Sequence, residues 1–227
     1  MKRLLLGALL AVLASQAQAF GDRTAREYLE SCEKGDDADC NTIGHMLRYG
    51  VDAPKDEARA REIFIASCKR QSARGCYNLG SIYNDGAGVA VNKAAAAKIF
   101  EKACGLGEIT ACANLAGMLL DGTGVAEDPE RARALYARMC ATRLPPERRA
   151  SWDGRVVADC CNNLANLYER GVGGAQDAAA AERFYEKACA LEAEHSCANL
   201  AKLRAHGVSR KPPQTSRRDY DRDGPTD

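Results

Sequence analysis

Ten of the eleven cysteines of this chain fall on a grid with a 36-residue period, two to a repeat. Cys32, Cys68, Cys104 and Cys140 stand 36 apart, as do Cys40, Cys76 and Cys112; after an insertion the grid resumes at Cys161, Cys189 and Cys197. Four pairs, Cys32–Cys40, Cys68–Cys76, Cys104–Cys112 and Cys189–Cys197, are eight residues apart. Eight residues of unbroken helix rise about 12 Å, whereas a disulfide needs Cα atoms within roughly 7 Å. If the pairs are bridged, the chain reverses direction inside each one. Each pair then marks a helix–turn–helix corner, and the chain is an array of corners. In the expanded fourth corner the grid pairs Cys140 with Cys161.

The rest of the unit agrees. Ten residues after each second cysteine comes a glycine, Gly50, Gly86, Gly122, Gly171 and Gly207, suited to end a helix in the left-handed conformation. Six residues further on, Asp56, Asn92, Asp128 and Asp177 are good N-caps, with Pro129 at the following N1 position. An aromatic residue (Tyr28, Phe64, Phe100, Tyr136, Tyr185) stands four residues before each first cysteine, on the same helical face. The expected fold is all-α: a short leading helix ending near Cys32, four helix pairs, and a last helix near Cys197. The first helix of each pair is expected to begin near its cysteine, Cys40, Cys76, Cys112 or Cys161. By the chain-entropy argument each bridge adds about 2.5 kcal/mol, and five add on the order of 10 kcal/mol.

Residues 1–19 read as a secretory signal peptide. Lys2 and Arg3 precede the apolar run from Leu4 to Ala14, too short to span a bilayer, and Ala17-Gln18-Ala19 is a cleavage site before Phe20. Export accounts for the cysteines, because disulfides persist in oxidising compartments. A zinc array would show C-x-x-C and clustered histidines; the chain has no C-x-x-C and three scattered histidines, His45, His195 and His206. No metal and no cofactor is expected. Without Lys2 and Arg3, 30 basic residues face 31 acidic ones, which gives no electrostatic case for nucleic acid or anionic membrane. The expected organisation is a signal peptide at 1–19, a solenoid of about four and a half repeats at 20–207 with an insertion at 143–155, and a charged disordered tail at 208–227.

Cys76-Tyr77-Asn78-Leu79-Gly80, followed by Tyr83, Gly86-Ala87-Gly88-Val89 and Ala94, resembles the Sel1-like repeat. Cys112-Ala113-Asn114-Leu115-Ala116 with Gly122-Thr123-Gly124-Val125 matches it too, as does Cys161-Asn162-Asn163-Leu164-Ala165 with Tyr168 and Gly171. The cysteine pair in a 36-residue unit is similar to the secreted Helicobacter cysteine-rich protein family. The resemblance implies a superhelix of α/α hairpins related to tetratricopeptide arrays, in which the first helices line a concave groove. Repeat one departs from the pattern, with Asn41-Thr42-Ile43 and Ala53-Pro54.

The resemblance makes the column Asn78, Asn114, Asn163 and Asn199 a candidate peptide-binding set. A side-chain amide offers donors and an acceptor, so it can hold an extended backbone irrespective of sequence. The alternative is that each Asn bonds a neighbouring repeat. The insertion 143–155 is the second candidate, with Pro145-Pro146, Arg143, Arg148, Arg149, Arg155 and the chain's single tryptophan, Trp152. Arg and Trp dominate interface hot spots, and insertions in repeat arrays cluster on one face. Cys160, directly before Cys161, is a buried inert thiol, a rival partner for Cys140, or a link between two molecules of an otherwise monomeric protein. Asp219-x-Asp221-x-Asp223-Gly224 opens like a calcium loop but lacks its closing acid.

The cysteine-rich family is also associated with β-lactam binding and hydrolysis, which the resemblance implies as the alternative function. Ser31-Cys32-Glu33-Lys34 fits S-x-x-K, but the supporting S-D-N and K-T-G motifs are missing. No catalytic set is identified. The expectation is an exported, secreted or periplasmic scaffold that binds a peptide or protein.

Overall fold

The computed structural model describes residues 23–205. The signal-peptide, tail and calcium-loop expectations, together with His206 and Gly207, fall outside the described residues. Within them the chain is all-α and of the α/α solenoid class, with ten α-helices, one 3-10 turn and no strand. The helices are α1 (Ala25–Glu33), α2 (Asp37–Tyr49), α3 (Glu57–Lys69), α4 (Ala73–Asp85), α5 (Lys93–Gly105), α6 (Ile109–Asp121), α7 (Pro129–Cys140), α8 (Trp152–Arg170), α9 (Ala178–Ala190) and α10 (Glu194–Ala205). The 3-10 turn, Pro146–Arg148, lies between α7 and α8. Two compact units divide between Ser67 and Cys68.

In the first unit, Thr24 and Glu27 form a capping box that starts α1, and Asp56 accepts from the Arg59 amide at the head of α3. Cys32, Cys40, Ile43 and Ile63 form its core, with Tyr28, Leu29, Met46 and Leu47 packed against them. Phe64 is fully buried against Gly44, where a Cβ would come within 2.4 Å of the ring. A glycine at 44 therefore lets the end of the Phe64 ring press against the neighbouring helix.

In the second unit each helix packs on the next, and α6 also touches α8. The capping expectations hold wherever the structure describes them. Asn92, Asp128 and Asp177 accept from the amides of Ala95, Arg131 and Ala180, and Gly50, Gly86, Gly122 and Gly171 close their helices in the left-handed region. Phe100 meets Gly80 as Phe64 meets Gly44. Later repeats carry alanine and tyrosine instead, and Tyr185 packs with Ala165, Ala181, Leu200 and Leu203.

The five expected pairs all stand at disulfide geometry, with Cα atoms 4.4–4.8 Å apart. One expectation is corrected. The first helices begin three residues before Cys40, Cys76, Cys112 and Cys197, but α8 begins nine residues before Cys161. The end of the insertion, from Trp152 to Arg155, is thus helix rather than loop. Apolar Val156 and Val157 are buried on that extra turn and a half, which ties it to the unit.

Candidate functional site

Between α4 and α6 lies a cavity of about 300 Å³. Phe100 and Met118 contribute apolar walls, while Asn84, Asn114, Asp121 and Thr123 add donors and acceptors. Asn84 is fixed in place, accepting from Lys93 Nζ at 3.0 Å and donating to Asp85 Oδ1 at 2.8 Å. Gly117 keeps one side of the cavity open, because a Cβ there would meet only the Tyr136 hydroxyl, at 4.0 Å. The arrangement suits a segment that offers a backbone amide or a small polar side chain above an apolar contact.

The asparagine column is not placed as one set. Asn114 is exposed and lines the cavity. Asn78 is buried, only 1% accessible. Asn163 is exposed yet hydrogen-bonded to the Tyr136 hydroxyl, whose pKa burial pushes up to about 12. Asn199 donates to Asn162 Oδ1 at 3.1 Å, and the same oxygen accepts from Ser196 at 3.1 Å. Asn162, one position earlier than the column, is itself buried and carries this link between α8 and α10. The offset from Cys161 picks out Asn163, yet the helix rotation buries Asn162 instead.

Trp152 is 55% exposed at the head of α8, with the Arg155 guanidinium 5.8 Å from its ring centre. It does not line the cavity. Ser31 sits on α1 and is hydrogen-bonded to Asp39, whose pKa is held down first by the Arg23 guanidinium and then by Ser31. His195 lies on the surface 3.5 Å from Asp159. Cys160 is buried, unbridged, and 3.8 Å from Met139 Sδ; burial pushes its thiol up to about 12. Among the described residues no group of three or more His, Cys, Asp or Glu is placed to hold a metal, and no helix is long and apolar enough to cross a membrane.

Three structural features escaped the sequence reading. Gly124 and Gly173, the second glycines of their loops, lie against the backbone at the start of the preceding repeat's second helix. A Cβ would come 2.4 Å from the Lys93 carbonyl carbon in one case and 2.2 Å from the Pro129 oxygen in the other. Two basic residues, each two before a corner cysteine, reach back one repeat. Lys102 donates to the Cys68 carbonyl, and Arg138 to the sulfurs of Cys104 and Cys112. At every eight-residue corner the third residue after the first cysteine has positive φ: Gly35, Gln71, Gly107 and Glu192. A column holding two glycines, a glutamine and a glutamate gives no consistent residue type to read.

The Sel1 repeat family model matches residues 40–72, 73–108, 109–141 and 158–192. The chain belongs to the Sel1 repeat family. The segment left unmatched between the third and fourth Sel1 repeats is the expanded corner. No curated protein matches the chain. Among solved structures it is similar to c5321, a protective antigen of uropathogenic Escherichia coli with an SLR fold. That match has 24% identity and a TM-score of 0.70, over 80% of this chain and 36% of that one. It is also similar to a Sel1 repeat protein from Oxalobacter formigenes, with 18% identity and a TM-score of 0.67, over 79% and 48%. Cysteine-rich protein B of Helicobacter pylori aligns at 20% identity and a TM-score of 0.38, over 77% and 90%. The chain spans about a third to a half of the length of the first two Sel1 repeat proteins, and its likeness to them is one of fold.

Proposed function

We propose that the protein is an exported, disulfide-stapled Sel1 repeat scaffold that binds an extended peptide or protein segment across the first helices of its repeats. The observation that carries this reading is the cavity between α4 and α6, where exposed Asn114 joins Asn84, Asp121 and Thr123 beside an apolar wall. An amide at that rim can pair with a passing backbone, while Phe100 and Met118 lie buried beneath it. Export is supported by the signal-like sequence of residues 1–19 and by five cysteine pairs that need an oxidising compartment.

A photo-crosslinking residue in place of Asn114 tests the reading in an envelope extract, with the same residue at exposed Lys98 on α5 as control. Discrete adducts from position 114 and not from 98 are expected. Equal or absent labelling at the two positions would overturn the groove assignment.

A further inference from the structure

A second cavity, of about 430 Å³, lies where the insertion meets α8 and α9. Three of its lining residues are cationic: Arg143 and Arg149 from the insertion and Lys187 from α9. The lining also includes apolar Leu144 and Leu191, both partly exposed, and Val157, which is fully buried. Among the described residues that line it there is no acid. The volume falls within the range of small-ligand sites.

The loop that carries two of these cations is fixed rather than draped. Gly154 lies so close to the Arg149 backbone that a Cβ would overlap the Arg149 carbonyl oxygen. Ser151 Oγ donates to the Arg148 carbonyl at 2.6 Å, and Arg148 pairs with Asp153. Arg149 therefore projects from a pinned backbone, which lowers the ordering cost of using it. Burial, and then the nearby Arg143 charge, push the half-buried Lys187 ammonium below its ordinary range.

We infer that this cavity binds a carboxylate joined to a short apolar group, the guanidiniums of Arg143 and Arg149 and the Lys187 ammonium holding the carboxylate while Leu144 and Leu191 hold the apolar part. Two sources present that chemistry: the C-terminal residue of a peptide ending in leucine or valine, and a free acyl acid. Guanidinium–carboxylate bonds are charge-assisted and give the anion its orientation. The apolar wall separates this ligand from inorganic anions. The site is separate from the cavity at Asn114 and does not depend on its role.

The test uses the full oxidised protein and dansyl-Ala-Leu with a free carboxylate, followed by fluorescence anisotropy. Saturable binding is expected, weakened about tenfold or more by amidating the carboxylate, by Arg149→Gln, or by Lys187→Gln. Asn114→Ala should leave it unchanged. Far-UV circular dichroism confirms that each variant is folded, and raising the salt concentration serves as a variant-free readout of the charge contribution. Octanoate that competes as well as acetyl-Ala-Leu identifies the free acid as sufficient; competition by the dipeptide alone identifies the peptide end. Either supports the site. Absent saturation, equal binding of the amide, or displacement by phosphate as effective as by octanoate would overturn it.

Discussion

The corner closed by Cys104 and Cys112 joins residues eight apart, and the corner closed by Cys140 and Cys161 joins residues 21 apart, yet their Cα atoms stand 4.6 and 4.8 Å apart. The short corner is shaped by its backbone: Gly107 takes positive φ, the Glu108 amide donates to the Ala103 carbonyl, and Arg74 pairs with the buried Glu108 carboxylate. The long corner is shaped by side-chain and backbone contacts of the inserted segment, through Gly154, Ser151 and the Arg148–Asp153 pair. The covalent geometry of a disulfide holds both pairs at nearly the same separation, and the connecting chain only has to reach. The long corner is consequently free to carry other chemistry.

The strongest challenge to this comparison is to cut every bridge. Full reduction removes about 13 kcal/mol by the chain-entropy estimate, so the reduced protein should lose most of its helical signal at temperatures where the oxidised form is folded. An unchanged circular dichroism melt would mean that helix packing alone suffices. Removing bridges singly sharpens the point. Cys140→Ala/Cys161→Ala should cost about 3.3 kcal/mol against about 2.5 kcal/mol for Cys104→Ala/Cys112→Ala, because the longer loop loses more closure entropy. A larger loss at the short corner would show that its backbone turn depends on its bridge.

Gly154→Ala and Gly107→Ala then separate the two ways of shaping a corner. The first forces a methyl onto the Arg149 backbone and should cost about 3 kcal/mol. The second meets open space and suffers only from its left-handed backbone, about 1 kcal/mol. Chemical denaturation of both variants gives the order. Cys160, beside the long corner, is next. Its thiol is raised above its ordinary range, so the folded state holds the proton more tightly than the unfolded chain does. That contribution is complete below the unfolded thiol's pKa and is lost as pH rises from about 8.5 towards about 12. Native protein at pH 8 should resist iodoacetamide at Cys160, and rapid labelling would show that the site opens. Smallest of all, Glu192→Gly at a short corner relaxes a positive-φ residue and should raise stability by about 0.5–1 kcal/mol.

Helix order, caps and bridges were legible because each depends on one residue at a fixed offset. The N-cap oxygens, the left-handed C′ glycines and the cysteines repeat in register, and each has a single geometric use. The candidate site was legible only in part. Asn114 reaches a cavity, but Asn78 in the same column is buried and Asn199 bonds Asn162. Whether a position faces solvent or a neighbour depends on how successive repeats stack, and the sequence period carries no record of that. The insertion was legible as an interruption, whereas its six extra helical residues depend on Val156 and Val157 finding cover. The second cavity draws on residues from three elements and has no linear signature at all.

Four of the five bridges join partners eight residues apart. A chain threaded into an oxidising space from its N-terminus would present both thiols of each such pair before the next repeat emerges. The right partner is then the earliest one available, and three bridges can close in order with no competitor at hand. Cys140 is different: it must wait for the longest stretch, and Cys160 arrives one residue ahead of Cys161. Thiol–disulfide exchange has to correct a premature Cys140–Cys160 bond. In an oxidising compartment, then, this junction between the third and fourth repeats is where correct pairing calls most for thiol–disulfide exchange.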